Sequence, residues 1–423
     1  MTYERLTYPR EIELPGDEGV FARSALVACL TDDECRLVNV PDTAPGDAVL
    51  EFLSGMGYVI DKIDDWQVNL TGRGYAKPDE PIDAVDCAAN ADIAHLFAAY
   101  LAGFGMYGSI RCAYPYHSLK DLADLVRSLG GEILGRGEGC APPWCVHPAP
   151  LSTREIKPMH PHPSLRSCLG IIFLLGQGTG AFPANTPGYD SLERAVRHYR
   201  GDIRRSEGRL YIKGGERVLA RRREIPRSFR LAVAITIAAA LTSAKPVHLP
   251  GVYLNPTRAA TLEFLGRSGV DFTIEKIHDL DEEIAGDVLV NPSKLHGVEL
   301  GKEAVRSVYE DIGPLLVMAA LSAGLSEFDL GHLAQPEAEG AIKLANEITI
   351  AAKAGCDSSG NLITIEGNPS PQADDSAIEA VSDYTARVIL SLVFKTPKPL
   401  EKGRCIRELG KALTQVILGD LLF

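Results

Sequence analysis

One segment, Leu254–Phe272, contains the pattern that most constrains what this chain can fold into. Asn255 and Pro256 suit the first positions of a helix, because Asn caps free N–H groups and Pro lacks one. Gly269 favours the positive φ with which many helices end. The alternating residues 270–274 then predict a half-buried strand. The segment therefore predicts a helix, a glycine and a strand in immediate succession.

The same helix–glycine–strand pattern recurs along the chain at intervals of about 70 residues, a spacing that suits a βαβαββ module and is too long for a solenoid repeat. The last interval, of 86 residues, implies an insertion. Six such modules would fill the 423 residues, the sixth, near Asp383–Ile417, being inferred more from length than from its pattern. We therefore predict an α/β fold made of α+β repeats. The repeats are centred on Gly57, Gly131, Gly201, Gly269 and Gly355.

Two proline-containing breaks, Leu-Pro-Gly-Asp at 14–17 and Ile-Pro-Arg-Ser at 225–228, divide the repeats into two groups of three. We predict that the backbone crosses between two domains near residues 15–17 and 224–228. The first domain would span residues 17–224, and the second would span residues 1–16 and 225–423. A ligand is expected in the cleft between two such domains, because clefts of this kind commonly bind small molecules.

Composition and charge exclude several classes of function. The net charge of −13 argues against broad binding of nucleic acid or anionic membranes. Nine scattered cysteines are typical of reduced thiols in a cytoplasmic protein. The first fifteen residues lack the apolar segment of a secretory signal, and the longest apolar run, Leu231–Ala244, is too short to span a bilayer. We expect a cytoplasmic protein whose partner is a small molecule, with no nucleic-acid or membrane partner and an undetermined oligomeric state.

The Asn-Pro-Thr-Arg segment at 255–258, followed by a strand that begins Gly-Val-Asp, carries the most specific resemblance to a known family. With the two proline breaks and the alanine-rich helix after Pro226, the chain resembles the enolpyruvyl transferase family, and most of all its 5-enolpyruvylshikimate-3-phosphate synthase branch. The resemblance implies a two-domain inside-out α/β barrel of six βαβαββ units. It also implies transfer of an enolpyruvyl group from phosphoenolpyruvate to a phosphorylated acceptor.

The active-site motifs of that family are replaced here. The family has lysines at the places of Glu18, Glu339 and Glu408, and an arginine at the place of Thr385. Phosphoenolpyruvate carries close to three negative charges and needs several charge-assisted donors, usually bidentate arginines. Removing one such partner costs about 2–5 kcal/mol, and a carboxylate in its place adds repulsion. We therefore expect that this chain does not use phosphoenolpyruvate in the usual way.

The resemblance also places a set of titratable groups at the cleft. Pairs of histidine and carboxylate groups suit acid–base chemistry near neutral pH. An alternative is that His95 is a satisfied core residue and that Glu18 and Glu339 are solvated surface groups. No cofactor and no metal is predicted. The predicted catalytic residues are His117, His162, Glu18 and Glu339, and the predicted substrate-binding residues are Arg23, Lys343, Asp92, His95, Ser164 and Asp383.

The segment Gly139–Pro163 contains residue types found in metal sites, but it also contains seven prolines. The spacing of its cysteines and histidines is not a standard zinc pattern. We therefore predict an irregular, exposed, proline-rich loop here rather than a metal centre. The residues concerned are Cys140, Cys145, His147, His160 and His162.

Three functions fit these observations. The favoured one is a divergent enzyme, similar to 5-enolpyruvylshikimate-3-phosphate synthase, that acts on a small metabolite with histidine and carboxylate acid–base groups. A second is a carboxyvinyl transferase with a rearranged site, and a third is a non-catalytic binding or scaffold descendant of the fold. Fold alone does not separate them. Convergence of the histidines and carboxylates within hydrogen-bonding reach would favour the catalytic functions over the third.

Overall fold

The computed structural model describes the chain at residues 6–114, 116–139, 141–152, 155–156, 162–370, 374–397, 400, 409–410 and 413–414. Two compact units are present, and each has its own buried core. In the part of the chain described, no helix is long and apolar enough to cross a membrane. The N-terminal unit comprises Glu18–Ile225 and Leu280–Glu283, and the C-terminal unit comprises Met1–Asp17, Pro226–Asp279 and Ile284–Phe423.

Helices and short strands alternate along the N-terminal unit. Its helices are α1 (Glu18–Ala28), α2 (Ala44–Gly55), α3 (Ala91–Gly103), α4 (Lys120–Ser128), α5 (Arg136–Gly139), α6 (Leu165–Leu175) and α7 (Ser191–His198). Its strands are β1 (Glu34–Val38), β2 (Val59–Asp64), β3 (Gln67–Thr71), β4 (Val85–Asp86), β5 (Gly108–Arg111), β6 (Glu132–Gly135), β7 (Ala141–His147), β8 (Thr179–Pro183), β9 (Ile203–Ser206), β10 (Arg209–Lys213) and β11 (Arg223–Glu224).

Three sheets surround the buried helices of this unit, with strand orders β11–β1–β3–β2, β4–β5–β7–β6 and β8–β10–β9. The pairs β1–β11 and β4–β5 are parallel, and the other pairs are antiparallel. Helices α1, α3 and α6 are buried along nearly their whole length, and α3 packs against both α1 and α6. Polar side chains on these three helices therefore lie inside the unit, where each needs a partner.

The C-terminal unit repeats the same alternation. Its sheets have the orders β12–β14–β13 and β15–β16–β18–β17, and its core contains the packed helices α8, α11 and α14. The helices are α8 (Phe229–Thr242), α9 (Ala259–Arg267), α10 (Lys302–Ser307), α11 (Ile312–Leu321), α12 (Gln335–Ala352), α13 (Asp375–Ala380) and α14 (Tyr384–Phe394). The strands are β12 (Val247–Tyr253), β13 (Asp271–Leu280), β14 (Glu283–Asn291), β15 (Glu299–Leu300), β16 (Gly324–Asp329), β17 (Gly355–Ser359) and β18 (Leu362–Gly367).

The helix–glycine–strand unit predicted for Leu254–Phe272 is confirmed. Asn255 Oδ1 accepts a hydrogen bond from Thr257 N at 2.9 Å, and a 3₁₀ turn at Pro256–Arg258 leads into α9. Gly269 has φ of 88°, which a residue with a side chain adopts only with strain, and β13 begins two residues later. The cap, the proline and the glycine therefore act as their residue types predict.

In two other repeats the residue that ends the helix is not glycine, so that part of the prediction is wrong. Arg200, directly before Gly201, takes the left-handed conformation with φ of 61°. Lys353, two residues before Gly355, does the same with φ of 48°. The conformation costs a side-chain-bearing residue about 1–2 kcal/mol, which packing of the unit offsets. Gly201 is needed for space instead, because an added Cβ would lie 2.7 Å from Val196 Cγ1.

The prediction of an irregular loop is wrong for the part of Gly139–Pro163 that forms β7. Trp144–His147 pairs with β5 on one side and β6 on the other, while the two prolines of the strand precede the paired residues. Proline is tolerated at these positions because they need no backbone N–H for the ladder, and proline has none. Trp144 and Val146 are fully buried, so the apolar alternation of this short stretch outweighs its prolines.

A buried histidine at the end of α7 gives the N-terminal unit a pH-dependent stability. His198 is 5% exposed, and its Nε2 donates to the carbonyl oxygen of Arg222 at 3.0 Å. Burial, together with the nearby positive charge of Arg223, lowers the pKa of His198 to about 4. In the unfolded chain a histidine has a pKa of about 6.5. The unfolded state therefore binds more protons than the folded state between pH 4 and 6.5.

The free energy of unfolding is accordingly expected to be highest above pH 6.5 and to fall by about 2–3 kcal/mol as the pH drops to 4. Urea titrations at several pH values in this interval measure the slope. The His198→Gln variant should show a shallower slope, because glutamine keeps a donor but does not titrate. The exposed His278→Gln variant is the control and should keep the wild-type slope. Equal slopes for His198→Gln and wild type would contradict the prediction.

Candidate active site

The central contact of the candidate site is an ion pair between α1 and α3 of the N-terminal unit. The Arg23 guanidinium donates from Nη1 to Asp92 Oδ2 at 2.6 Å and from Nη2 to Asp92 Oδ1 at 2.7 Å. Both side chains are almost completely buried, with 1% and 5% of their surface exposed. Arg23 Nε also donates to Ser167 Oγ of α6 at 2.8 Å. The arginine therefore joins three buried helices, and Asp92 neutralises its charge inside the unit.

The turn before α3 explains the position of Asp92. Ala88 and Ala89 have positive φ values of 50° and 57° and reverse the chain after β4. Asn90 Oδ1 then caps α3 by accepting from Ile93 N at 3.1 Å. A carboxylate in the first turn lies near the positive end of the helix dipole, which stabilises its negative charge. This short segment therefore builds a helix start that holds a charged carboxylate against Arg23.

One turn along α3, His95 stacks on His162. The two ring centroids are 4.2 Å apart with an interplanar angle of 14°, and both residues are at most 1% exposed. His95 Nδ1 lies 2.7 Å from the carbonyl oxygen of Ala91, which only accepts, so Nδ1 carries the proton and neutral His95 has an unprotonated Nε2. His162 Nδ1 accepts from Ser164 N at 3.2 Å, so neutral His162 carries its proton on Nε2.

The stacked pair therefore combines an unprotonated and a protonated ring nitrogen in one buried contact. Two positively charged rings at this separation would repel each other, so the pair holds one extra proton far more readily than two. The backbone of His162 is fixed by a hydrogen bond from its N–H to Asp121 Oδ2 at 2.8 Å. Histidine is the residue type used most often for proton transfer in enzymes, and this contact brings two of them together.

His117 lies beside the turn that precedes α3. Its Nε2 is 2.8 Å from the carbonyl oxygen of Ala89, so that nitrogen is the protonated one, and its ring centroid is 4.8 Å from that of Tyr114. The loop after β5 is thus tied to the loop after β4, as expected for neighbouring parallel strands. We use the name Arg23 cluster for the predicted residues in these three contacts, all of which involve α3 or the turn before it, namely Arg23, Asp92, His95, His117 and His162.

Two further predicted residues, Glu18 and Ser164, lie at helix starts in the same unit. Glu18 is buried in the first turn of α1, and its Oε1 accepts from Thr43 Oγ1 at 3.2 Å. Ser164 precedes α6 and supplies the N–H donor to His162. Ser167, which contacts Arg23, was not among the predicted residues. It follows Ser164 by three positions on the same face of α6, and this helical spacing is the signal that identifies it.

The remaining predicted residues belong to the C-terminal unit. Glu339 and Lys343 lie one turn apart on the exposed face of α12, where Glu339 Oε1 accepts from Gln335 Nε2 at 3.0 Å and Lys343 Nζ lies 3.7 Å from Glu347. Asp383 caps α14 through Ala386 N at 2.9 Å and accepts from Arg230 Nη2 at 2.6 Å. Glu408 lies outside the described residues.

The C-terminal unit also contains buried ion pairs that sequence reasoning did not identify. Asp311, which precedes α11, accepts from Thr261 Oγ1 at 2.8 Å and lies 3.5 Å from Arg258 Nη1. Arg306 donates to Glu337 at 2.7 Å, and both residues are less than 10% exposed. Arg258 belongs to the Asn-Pro-Thr-Arg segment, so that motif pointed to one member of the pair. Its partner follows about fifty residues later, with no local signal.

Three of the five metal-ligand residue types of the proline-rich segment belong to the described residues, and they are divided between β7 and the stacked pair. Cys145 and His147 lie on β7, and His162 stacks on His95, whereas Cys140 and His160 lie outside the described residues. Within the described ranges, no group of three or more His, Cys, Asp or Glu side chains is arranged to hold a metal ion.

Comparison with solved structures identifies the class of fold. A solved structure of EPSP synthase from Acinetobacter baumannii superposes with a TM-score of 0.73 at 18% identity, covering 100% of this chain and 98% of that one. The enolpyruvyl transferase NikO from Streptomyces tendae superposes with a TM-score of 0.67 at 14% identity, covering 98% and 96%. The fold is therefore the inside-out α/β fold of the enolpyruvyl transferases, as predicted.

Sequence comparison narrows the class to a family. The profile of the family described as EPSP synthase (3-phosphoshikimate 1-carboxyvinyltransferase) matches residues 7–395. The 3-phosphoshikimate 1-carboxyvinyltransferase of Salinibacter ruber is 25% identical over 75% of this chain and 74% of that protein. The enzyme of the same name from Pelotomaculum thermopropionicum is 25% identical over 82% and 80%. This chain belongs to the EPSP synthase family.

Proposed function

We propose that the chain is an enzyme of this family that acts on a small metabolite at the Arg23 cluster, with histidines as its acid and base groups. The observation that carries the proposal is the stacking of His95 on His162, with opposite protonation at their Nε2 atoms. In this proposal Nε2 of His162 donates a proton to the substrate and Nε2 of His95 accepts one from it, since both atoms lie in the planes of the stacked rings and do not face each other. Packing alone would explain a single histidine on an apolar helix. Two histidines in contact, one with a protonated Nε2 and one with an unprotonated Nε2, support a catalytic role.

Each predicted residue has a role in this proposal. His162 is the acid and His95 is the base of the stacked pair, while His117 and Glu18 are further titratable groups of the N-terminal unit. Asp92 holds Arg23, and Ser164 fixes the tautomer of His162 through its backbone N–H. In the C-terminal unit, the proposed catalytic carboxylate is Glu339 and the proposed binding residues are Lys343 and Asp383.

The Arg23 cluster favours a substrate with fewer negative charges than phosphoenolpyruvate. Arg23 donates from every nitrogen of its guanidinium to protein acceptors, and the two nearest are the carboxylate oxygens of Asp92. An anionic group at this place would compete with a bidentate carboxylate already in contact. A neutral or cationic metabolite meets no such competition. The proposal therefore combines the family fold with a changed substrate class.

A second candidate function is carboxyvinyl transfer through a rearranged site. The observation that favours it is the family match over residues 7–395, since the relatives' names specify 3-phosphoshikimate and carboxyvinyl transfer. In this function the phosphate groups would be bound by cations other than Arg23. The first candidate accounts for the neutralised arginine and for the histidine pair, and the second accounts for neither.

The proposal is tested by following turnover of an unbiased set of metabolites. The full-length protein is incubated with a small-molecule cell extract, and compounds that disappear or form are followed by mass spectrometry. The wild-type protein should convert at least one compound. The His162→Asn variant should convert it about 100-fold more slowly or worse, the usual loss for a general acid or base.

The matched control is His147→Asn, because His147 is an exposed histidine of the same unit and lies outside the cluster. This variant should react at the wild-type rate. A thermal melt of each variant separates loss of catalysis from loss of folding. Conversion by His162→Asn at the wild-type rate would remove the stacked pair from the mechanism. If the wild-type protein changes no compound, the non-catalytic function is favoured instead.

A further inference from the structure

The N-terminal unit also contains a cavity lined mainly by charged residues. Its volume is about 380 Å³, within the range of small-molecule sites. It opens between α7 and the edge strand β9, and it shares no lining residue with the cluster. The charged residues that line it are Arg166, Arg194, Arg197, Arg204, Arg205, Asp190 and Glu193.

Arginines dominate this cavity although the whole chain is acidic. Five arginines and two carboxylates line it, whereas the chain carries a net charge of −13. The two carboxylates are each held by an arginine: Arg166 contacts Glu193 at 2.5 Å and 3.0 Å, and Arg194 contacts Asp190 at 2.9 Å. These two pairs form the walls of the cavity.

Two arginines are left to face a ligand. The Arg205 side chain is exposed on β9 and forms no hydrogen bond or ion pair with the side chains of the described residues. Arg197 is 40% exposed, and its Nε lies 3.4 Å from Glu282 Oε2, a long contact. Arg204 alternates with Arg205 along β9, so its side chain points to the opposite face of the sheet, where it pairs with Asp202. Arg205 and Arg197 supply planar, charged donors of the kind that bind phosphate oxygens.

The rest of the lining is apolar. Ala184, Ile203 and Leu210 line the cavity beside the arginines, and Ala184 and Leu210 are buried. We call these three residues the apolar floor. Leu210 pairs with Arg205 across the antiparallel β9–β10 ladder, so the apolar floor and this arginine are direct neighbours. Such a site combines an anion-binding rim with an apolar surface for the body of a ligand.

From this arrangement we infer that the cavity binds a small phosphate monoester, with its phosphate on Arg205 and Arg197 and its carbon body on Ile203 and Leu210. The inference does not rest on the proposed function, because no residue of the Arg23 cluster takes part. It explains why an acidic chain gathers arginines around an open cavity and why the Arg205 side chain has no partner among the described residues.

Calorimetric titration of the full-length protein with phenyl phosphate at low ionic strength tests the inference. Binding should be saturable, and inorganic phosphate should bind more weakly because it lacks the carbon body. The Arg205→Gln variant should bind phenyl phosphate about tenfold more weakly, and raising the salt concentration should weaken binding further. Because the Arg205 side chain is exposed and has no partner within the described ranges, this variant should melt at the wild-type temperature.

The matched control is Arg217→Gln, since Arg217 is a 74% exposed arginine of the same unit that does not line the cavity. It should bind phenyl phosphate as tightly as the wild-type protein. The inference is overturned if the wild-type protein does not bind phenyl phosphate, or if Arg205→Gln binds it as tightly as Arg217→Gln does. Equal affinity for phenyl phosphate and inorganic phosphate would overturn the part assigned to the apolar floor.

Discussion

Replacement of Asp92 by alanine is expected to lower the free energy of unfolding of the N-terminal unit by about 3–5 kcal/mol. Asp92 accepts two hydrogen bonds from Arg23, and both side chains are buried among α1, α3 and α6. Removing the carboxylate leaves the buried guanidinium without the group that neutralises it at 2.6 Å, and breaking a buried ion pair on one side is strongly destabilising. Chemical denaturation monitored by circular dichroism measures the change.

Two further variants distinguish a buried charge from a general loss of packing. The double variant Arg23→Met with Asp92→Leu removes both charges and should recover most of the lost stability, because apolar residues of similar volume replace a buried pair well. Asp124→Ala removes an exposed carboxylate that contacts Lys120 and Arg127, and it should change stability by less than about 1 kcal/mol. If Asp92→Ala is no more destabilising than Asp124→Ala, the ion pair does not organise the unit.

The features that sequence predicted well depend on neighbours along the chain. Asn255 as a cap and Gly269 as a helix stop act within a few residues of their own positions, so residue type alone indicates the outcome. Arg200 and Lys353 show the limit of that reasoning. Each takes a left-handed conformation that its own residue type disfavours, because the packed helix and strand on either side fix the path of the chain.

The candidate site was predicted as a set of residues but not as a set of contacts. Arg23 and Asp92 are 69 positions apart, and nothing local in either segment indicates that they form a bidentate pair. Both were predicted as groups that face a substrate, whereas in the structure they face each other. His162 was predicted from its place in the resemblance, but its stacking on His95 depends on how α3 and α6 pack. Tertiary packing decides such contacts, and one sequence does not reveal it.

The expected result with the largest consequence for function is that the protein releases no phosphate from phosphoenolpyruvate and shikimate 3-phosphate. Glu18, Glu339 and Thr385 stand where the resemblance implies cationic residues, and each change from lysine to glutamate alters the local charge by two units. Loss of one charged partner in a binding site costs about 2–5 kcal/mol. The two changes from lysine to glutamate alone therefore cost at least about 4 kcal/mol, which corresponds to a rate about 10³-fold lower or worse. Glu408, outside the described residues, is a further change of the same kind.

Neutralisation of Arg23 adds to this effect. The family-like cation on α1 is present in the sequence, but its guanidinium is held by Asp92 at 2.6 Å and 2.7 Å, so a trianionic substrate would have to displace a carboxylate to reach it. Phosphate release is measured with both substrates, with and without magnesium or zinc, and the EPSP synthase of Acinetobacter baumannii serves as positive control. Turnover without metal would show that the electrostatic argument is wrong. Turnover only with metal would make the protein a metal-dependent transferase, because a divalent cation would supply the positive charge that the glutamates removed.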